Sequence, residues 1–186
     1  MSALEAIRAA IPEAAKHLRS NLSAVLEGGT LAASERWGVA IAAALASRSR
    51  RLAEALVASR PEEVSHATVE DAVAAAALMG MTNVYYRFPH LVGKPSYERK
   101  PARLRMQRLA KPATTRAAFE LFSLAVSALN GCEACVRSHE AKLLQHGTSE
   151  DQIHDAVRIA SVVHGAAIAL DCASLIREDS TARTLE

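Results

Sequence analysis

Long alanine-rich apolar runs are the feature that most restricts how this chain can fold. The segment "AVAAAALMGM" (72–81) and the segment 153–175 both place small apolar residues on most sides of a helix. Half of all residues are hydrophobic, only 4% are aromatic, and glycine and proline are scarce. Alanine and leucine favour helices, and no segment alternates in the way a half-buried strand requires. The sequence therefore predicts an all-α fold.

Helix-start and helix-stop residues divide the chain into two helical halves joined by a linker. An N-terminal half without cysteines is expected over 1–86, and a C-terminal half over 114–176. The proline-rich linker between them spans 87–113, and the polar tail 177–186 is expected to fray. The predicted helices cover 3–27 with a new start at Pro12, then 34–47, 50–60, 68–86, 114–129, 132–146 and 149–175.

A short internal repeat suggests that the two halves arose by duplication. "HATVED" (66–71) and "HGTSED" (146–151) share four residues 80 positions apart, and each precedes a long alanine-rich helix. With that spacing, Arg48 and Arg51 of the first half lie near the places that cysteines occupy in the second. The C-terminal half is therefore expected to carry the chemistry.

Charge and cysteine content narrow the functional class. A net charge of +2 and arginine clusters without interleaved aromatic residues predict no nucleic-acid partner. No signal peptide is recognisable, and no run of about twenty uncharged apolar residues exists, so we expect a cytoplasmic protein without a membrane span. Three cysteines form no disulfide framework, and a close pair in a reducing compartment indicates metal or redox chemistry.

That close pair lies in "FELFSLAVSALNGCEACVRSHE" (119–140). Asn130-Gly131 is a helix-breaking pair, so Cys132 is expected in the first turn of the next helix, where amide donors favour a thiolate. This position predicts that Cys132 is the more exposed and more readily ionised thiol. Cys135 lies one turn further on the same face, close enough for a disulfide, and His139 continues that face as a proton carrier.

Glu120 belongs to the same constellation because its helix, "AFELFSLAVSAL" (118–129), is apolar on nearly every side. A buried carboxyl tends to have a raised pKa, so we expect Glu120 to hold a proton near neutral pH and to act as an acid or base beside the cysteines. Glu133, between the cysteines, is expected to point into solvent.

Zinc is the main alternative that the residues leave open. Cys132, Cys135 and His139 supply three possible ligands, and Cys172 or His164 could be the fourth. The helical spacing is not that of the usual zinc-binding turn, and packing in the core is the simpler reading of Cys172 and His164. Packing likewise explains Trp37 and the methionines at 79 and 81.

Taken together, these residues resemble a known signature. Glu120, eleven residues, Cys132, two residues, Cys135, three residues and His139 are similar to the active-site pattern of the alkylhydroperoxidase D proteins, members of the carboxymuconolactone decarboxylase-like superfamily. The segments "ALMGMTNVYYRF" (77–88) and "IPEAAKHLRSNLSAV" (11–25) resemble the N-terminal half of the same proteins. The likeness extends over about residues 1–175.

The resemblance implies an all-helical fold of two duplicated halves, assembled as a homotrimer. Whether the linker lines the active site or the subunit contact is open from the sequence, and we expect the subunit contact. It implies an alkyl hydroperoxide reductase in which Cys135 becomes a sulfenic acid and Cys132 donates a proton and then forms the Cys132–Cys135 disulfide. Glu120 and His139 would relay protons. Dihydrolipoamide on a lipoylated acyltransferase would be the reductant, an AhpC-type peroxiredoxin the partner, and no cofactor or metal would be bound.

One departure from the family pattern bears on turnover. Some members carry a histidine immediately before the second cysteine, where this sequence has Ala134. The proton relay is then shorter, which keeps a second hypothesis open: a thiol–disulfide relay or redox sensor with little peroxidase activity. A non-redox module with zinc-binding or packed cysteines is the third.

Overall fold

The computed structural model describes residues 1–182, and these form helices and no strands. The all-α prediction is therefore confirmed. A short 3₁₀ turn, Glu13–Ala15, separates the first two helices. The helices are α1 Ala3–Ala10, α2 His17–Glu27, α3 Ala33–Ala46, α4 Arg50–Ser59, α5 His66–Val92, α6 Pro95–Glu98, α7 Gln107–Ala110, α8 Arg116–Leu129, α9 Glu133–Gln145 and α10 Glu150–Ala182.

The core forms where α3 packs against α8. Both helices are buried along nearly their whole length, which is why they contain so many small apolar residues. Gly38 of α3 lies beneath the ring of Phe122 of α8, and a Cβ at this glycine would approach that ring to 2.1 Å. Phe122 is fully buried, so the glycine permits a close helix contact that any larger residue would push apart.

The helix order repeats in the two halves. The helices α3, α4 and α5 are followed by α8, α9 and α10, whose first residues lie 83, 83 and 84 positions later. The repeat offset of 80 drawn from "HATVED" and "HGTSED" is therefore wrong by three or four residues. The reason is that the two motifs lie differently relative to their helices. Ser65, which caps α5, comes one residue before the first motif, whereas Ser149 begins α10 three residues after the start of the second motif. With the structural offset, Cys132 corresponds to Ser49.

Two matching polar contacts join the halves reciprocally. The carboxylate of Asp71 on α5 accepts hydrogen bonds from the backbone nitrogen and the hydroxyl of Thr114, at 2.7 and 2.6 Å. The carboxylate of Asp155 on α10 accepts the same pair of bonds from Thr30, at 2.5 and 2.7 Å. Each half thus supplies the threonine that the other half's aspartate requires, an arrangement that supports the duplication hypothesis.

The linker is shorter than predicted because α5 continues to Val92, through Pro89. Proline removes one helical hydrogen bond, but Pro89 lies only a turn from the helix end, where the loss is small. Gly93 is the actual stop, since its backbone is left-handed (φ 65°) and its nitrogen donates to the Pro89 carbonyl. The remaining irregular segment holds the short helices α6 and α7.

Smaller differences follow from local capping and packing. Helix α5 begins at His66, two residues before the predicted start, because the side chain of Ser65 caps it by accepting from the Thr68 nitrogen. Helix α10 continues to Ala182, past the start of the predicted frayed tail, and residues 183–186 of that tail lie outside the described residues. His164 and Cys172 are exposed on α10 rather than packed in the core, because that long helix buries only one face.

Helix α10 is also apolar enough to meet a length-and-composition criterion for a membrane span. Its segment Glu150–Ala173 has a mean hydropathy of 1.5, and half of the tested window is buried against the other helices. The few charges along it, among them Asp155, do not by themselves rule out a span, contrary to the prediction from the sequence. A half-buried apolar helix is typical of a protein core, so this finding is weak evidence for a membrane.

Replacing Asp71 tests the contact between the halves. Burial opposes its ionisation, but the hydrogen bonds from Thr114, the Ala113 nitrogen and Arg108 lower its pKa below the ordinary value. Stabilisation by Asp71 is therefore present above the unfolded-state pKa and lost as pH falls through the folded-state pKa. We expect Asp71→Asn to reduce the free energy of unfolding at pH 7 by about 2 kcal/mol, measured by urea denaturation.

The matched control is Glu62→Gln, which removes an exposed carboxylate and should change little. The gap between Asp71→Asn and the wild-type protein should begin to narrow below about pH 4, where the carboxylate of the unfolded state becomes protonated, and should close as pH falls through the lower folded-state pKa. A gap that stays constant from pH 7 to pH 3 would contradict the role given to the ionised aspartate.

Candidate active site

A tight turn between α8 and α9 positions the two cysteines. Asn130 ends α8, Gly131 takes a left-handed backbone (φ 63°) that favours glycine, and Cys132 is the N-cap residue of α9. The Cys132 nitrogen donates to the Ser127 carbonyl at 3.1 Å, and its carbonyl accepts from Val136 at 2.9 Å. The predicted helix start is thus found, and its hydrogen bonds hold Cys132 beneath the end of α8.

This placement reverses the expected exposure of the two thiols. Cys132 is fully buried, whereas Cys135 is 7% exposed, and both are free thiols. The prediction that Cys132 is the more exposed cysteine is wrong, because the backbone hydrogen bond to Ser127 holds Cys132 against the C-terminal end of α8. Cys135, one turn further, is the sulfur that opens onto the surface.

Cys135 opens into a cleft of about 640 Å³. Its walls come from both halves of the chain: α5 forms one side, α9 the other, and the segment between α6 and α7 covers part of the mouth. Cys132 does not line the cleft. The side chains that do are largely apolar or aromatic, with a few charged groups: Met79, Thr82, Tyr85, Tyr86, Pro89, His90, Tyr97, Glu98, Lys100, Ala102, Met106, Leu109, Ala134, Cys135, Ser138, His139 and Lys142.

A buried hydrogen-bonded pair includes His139, which lines the same cleft as Cys135. His139 Nδ1 is 2.5 Å from Glu120 Oε2, and both residues are less than one-tenth exposed. The other carboxylate oxygen of Glu120 accepts from Lys142 Nζ at 3.2 Å. Glu120 and His139, which the sequence singled out together with the cysteines, are thus brought to the same site, and Glu133 is exposed as expected and pairs with Arg137 at 2.8 Å.

The protonation state expected for Glu120 is wrong. Burial alone would raise its pKa, but the hydrogen bond and charge of His139, together with the charge of Lys142, outweigh burial and lower the pKa. Glu120 is therefore an ionised carboxylate that accepts the Nδ1–H bond and orients the imidazole. The group that can exchange a proton with the cleft is His139.

Helix α5 supplies residues that sequence reasoning missed. Met79, interpreted from the sequence as core, lies with its sulfur 3.3 Å from His139 Nε2 and lines the cleft. Asn83, 1% exposed, donates to Ser127 Oγ at 3.0 Å and accepts from Asn130 Nδ2 at 2.8 Å, and Arg87 donates to the Asn130 carbonyl. The available signal was the polar pair Thr82-Asn83, which interrupts an otherwise apolar helix.

The electrostatic balance at Cys135 disfavours a permanent thiolate. Burial is the main cause, and the hydrogen bond and charge of Cys132 add to it, while Asn83 and Arg87 act in the opposite direction. The net result raises the pKa of Cys135 to about 11. The thiol therefore needs a base at the moment of reaction, and His139 is the candidate.

The zinc hypothesis lacks a ligand set among residues 1–182. No group of three or more histidine, cysteine, aspartate or glutamate side chains there is arranged to hold a metal ion. The Nδ1 of His139 is engaged by Glu120. His164, one proposed fourth ligand, pairs with Ser47 at 2.9 Å, and Cys172 is exposed on α10.

The chain is similar in sequence to known proteins, and the similarity includes the segment that carries the two cysteines. Residues 95–178, which include both cysteines, match the model of the carboxymuconolactone decarboxylase family. The chain is 62% identical over 173 residues to a protein of Anaeromyxobacter dehalogenans (strain 2CP-C) named alkyl hydroperoxide reductase AhpD, covering 93% of each chain. Proteins of that name from Anaeromyxobacter sp. (strain Fw109-5) and Rhodospirillum centenum are 56% and 44% identical, with 92% and 96% of each chain covered.

The different burial of the three cysteines predicts an order of alkylation. Iodoacetamide should label the exposed Cys172 first and Cys135 slowly, and it should leave Cys132 unlabelled in the folded protein. The rate at Cys135 should continue to rise up to about pH 11, because only the thiolate reacts. Peptide mass spectrometry checks the order, and rapid labelling of Cys132 at neutral pH would contradict the geometry.

Proposed function

Because the chain belongs to the AhpD family of the carboxymuconolactone decarboxylase-like superfamily, we propose that it is an antioxidant enzyme that reduces alkyl hydroperoxides through Cys132 and Cys135. The observation that carries this proposal is the position of Cys135. Its sulfur opens onto an apolar cleft while Cys132 lies behind it and the Glu120–His139 pair lies beside it. An organic peroxide in the cleft would meet a thiol, a base and a second thiol.

The proposed first half-reaction converts Cys135 to a sulfenic acid. His139 takes the thiol proton, the sulfur attacks the terminal peroxide oxygen, and the O–O bond breaks with its electron pair on the departing alkoxide. The alkoxide takes the proton back from His139 and leaves as an alcohol. Glu120 stays ionised and stabilises the protonated imidazole, which is why a lowered pKa suits this role better than the raised one expected.

The proposed second half-reaction forms the disulfide. The Cys132 thiolate attacks the sulfenic sulfur of Cys135, its proton combines with the departing hydroxide, and water leaves. The two thiols together lose two electrons and the peroxide gains them. Because Cys132 is fully buried behind Cys135, it is shielded from peroxide yet adjacent to the sulfur that it must attack.

Regeneration requires a dithiol that enters through the cleft. Dihydrolipoamide carried by a lipoylated acyltransferase is the proposed donor, and an AhpC-type peroxiredoxin the proposed acceptor of onward electrons. Both exchanges would begin at Cys135, since Cys132 has no route to the surface. No cofactor or metal is required for these steps.

A homotrimer in the cytoplasm is part of the same proposal. Apolar side chains are exposed along the last turns of α5 and on α6, namely Val84, Tyr86, Phe88, Leu91, Val92 and Tyr97. A surface of this kind supports self-association. The same segment forms the mouth of the cleft, so a neighbouring subunit there would shape access to Cys135.

A thiol–disulfide relay with little peroxidase activity is the second candidate. It is favoured by Ala134, which lines the cleft where some family members have a histidine. In this version the dithiol exchanges with other thiols, and small peroxides react only slowly.

Sulfenic acid trapping assigns the roles of the two thiols. After one equivalent of cumene hydroperoxide, Cys132→Ser should accumulate a sulfenic acid on Cys135 that dimedone captures, because no second thiol resolves it. Cys135→Ser should give no adduct on Cys132. Cys172 provides the internal control for non-specific oxidation. Capture of dimedone on Cys132 in Cys135→Ser would reverse the assignment, and capture at Cys172 equal to that at Cys135 in Cys132→Ser would contradict an active site.

Substitution of Glu120 tests whether this carboxylate supports His139 as the base. Glu120→Gln keeps the shape but removes the charge that orients and stabilises His139, so disulfide formation at pH 7 should slow by about a hundredfold. Glu133→Gln, which removes an exposed carboxylate beside the same thiols, is the matched control and should retain the wild-type rate. The rate is followed by loss of free thiols after peroxide addition. Equal rates for the wild-type protein and Glu120→Gln would exclude the relay.

A further inference from the structure

A second pocket, lined by two arginines, lies on a different face of α5 from the cleft. It encloses about 330 Å³, and none of the residues that line it also lines the cleft of Cys135. Its polar residues are Arg48 from the turn between α3 and α4, Asn83 and Arg87 from α5, and Asn130 from the turn between α8 and α9. The five other described residues that line it are apolar or glycine, so none of them is acidic.

Neither of the two arginines is neutralised by the protein. In the part of the chain that the structure describes, no carboxylate forms an ion pair with Arg48 or Arg87, and the exposed side chain of Arg48 makes no hydrogen bond. The nearby Arg50, by contrast, pairs with Glu54 at 2.7 Å. Arg87 donates one N–H to the Asn130 carbonyl, which leaves the other N–H groups of its guanidinium free. Two cations at one pocket attract an anion.

Arg48 also occupies a backbone position that favours glycine. Its φ is 59°, and its nitrogen donates to the Leu45 carbonyl at 2.9 Å. The same turn recurs at the structural offset of 83 residues, where Gly131 has φ 63° and donates to the Ala128 carbonyl at 3.1 Å. A residue with a Cβ is strained in this left-handed region, and such strain clusters at functional positions. Arginine thus stands where the second half of the chain uses the unstrained residue.

We propose that Arg48 and Arg87 form a binding site for a small, doubly charged oxyanion, namely a phosphate group. The N–H groups of a guanidinium bind phosphate oxygens in pairs, and two arginines balance two negative charges. The pocket is larger than a bare phosphate ion, so both inorganic phosphate and a small phosphate ester fit within it. This site is separate from the cleft of Cys135, and the peroxide chemistry proposed above does not use it.

A bound phosphate would connect the corresponding turns of the two halves. Arg87 already donates to the Asn130 carbonyl, and the side chain of Asn130 donates to the buried Asn83 at 2.8 Å. A ligand held by both guanidinium groups would join Arg48 to this hydrogen-bonded set. The end of α3 would then be tied to the residue that precedes Gly131, and the ligand would stabilise the folded chain.

Calorimetric titration with inorganic phosphate tests the site directly. Ionic strength is kept constant with chloride, so that general screening does not change. The wild-type protein should bind phosphate at a single site per chain, and Arg48→Gln, which removes one guanidinium, should weaken binding by about tenfold or more. Arg51→Gln is the matched control, because Arg51 is also exposed but does not line the pocket, and it should bind phosphate as the wild-type protein does.

Arg48→Gly separates binding from folding. Glycine relieves the left-handed strain, so in chloride this variant should resist urea at least as well as the wild-type protein. Added phosphate should raise the urea midpoint of the wild-type protein and of Arg51→Gln, and it should leave that of Arg48→Gly unchanged. A marked loss of stability in Arg48→Gly without phosphate would show that the arginine serves the fold instead, and would overturn the proposal.

Two further outcomes of the titration decide against the site. Phosphate that does not bind the wild-type protein, or that binds Arg48→Gln and Arg51→Gln equally well, would overturn the proposal. Where phosphate does bind, repeating the titration with glycerol 3-phosphate distinguishes the source of the group: tighter binding of the ester indicates a phosphorylated small molecule, and tighter binding of the free ion indicates inorganic phosphate. None of these results depends on whether Cys132 and Cys135 reduce peroxides.

Discussion

The burial of one carboxylate, that of Glu120, is the interaction on which the site depends. A carboxylate within an apolar helix is costly unless it is paired and hydrogen-bonded. Here both of its oxygens are occupied, one by His139 at 2.5 Å and the other by Lys142 at 3.2 Å. Both partners come from α9, so the requirement to pair Glu120 sets how α9 lies against α8. Cys135, one turn before His139, is positioned as a consequence.

The first half of the chain completes the site although it contains no cysteine. Helix α5 contributes Met79 against the imidazole, and its Asn83 and Arg87 bond the turn that holds the cysteines. The reciprocal contacts of Asp71 and Asp155 hold that helix and its counterpart α10 to the opposite halves. One half therefore supplies the reacting groups, and the other supplies part of their environment.

Much of the fold and part of the site were predictable from the sequence. Alanine-rich periodicity gave the helices, and the Asn130-Gly131 break gave the start of α9 next to Cys132. The spacing of Cys135 and His139 placed them on one face. Features that depend on the packing of one helix against another could not be predicted from the sequence. The burial of Cys132 depends on its hydrogen bond to Ser127. The lowered pKa of Glu120 depends on partners nineteen and twenty-two residues away along the chain.

Residues that act through tertiary contacts were missed for the same reason. Met79 and Asn83 are separated from the cysteines by some fifty residues of sequence, and methionine in an apolar helix looks like ordinary core. Likewise, Pro89 suggested a helix end that the structure places at Gly93, since a proline near a helix terminus disturbs few bonds.

The most direct test of the central claim is intact-protein mass spectrometry of the wild-type protein after one equivalent of cumene hydroperoxide. The account predicts a loss of two hydrogens, mapped by proteolysis to a bond between Cys132 and Cys135, and recovery of the original mass after dihydrolipoamide is added. An unchanged mass in folded protein, with both thiols still free, would contradict the claim that these cysteines reduce peroxides.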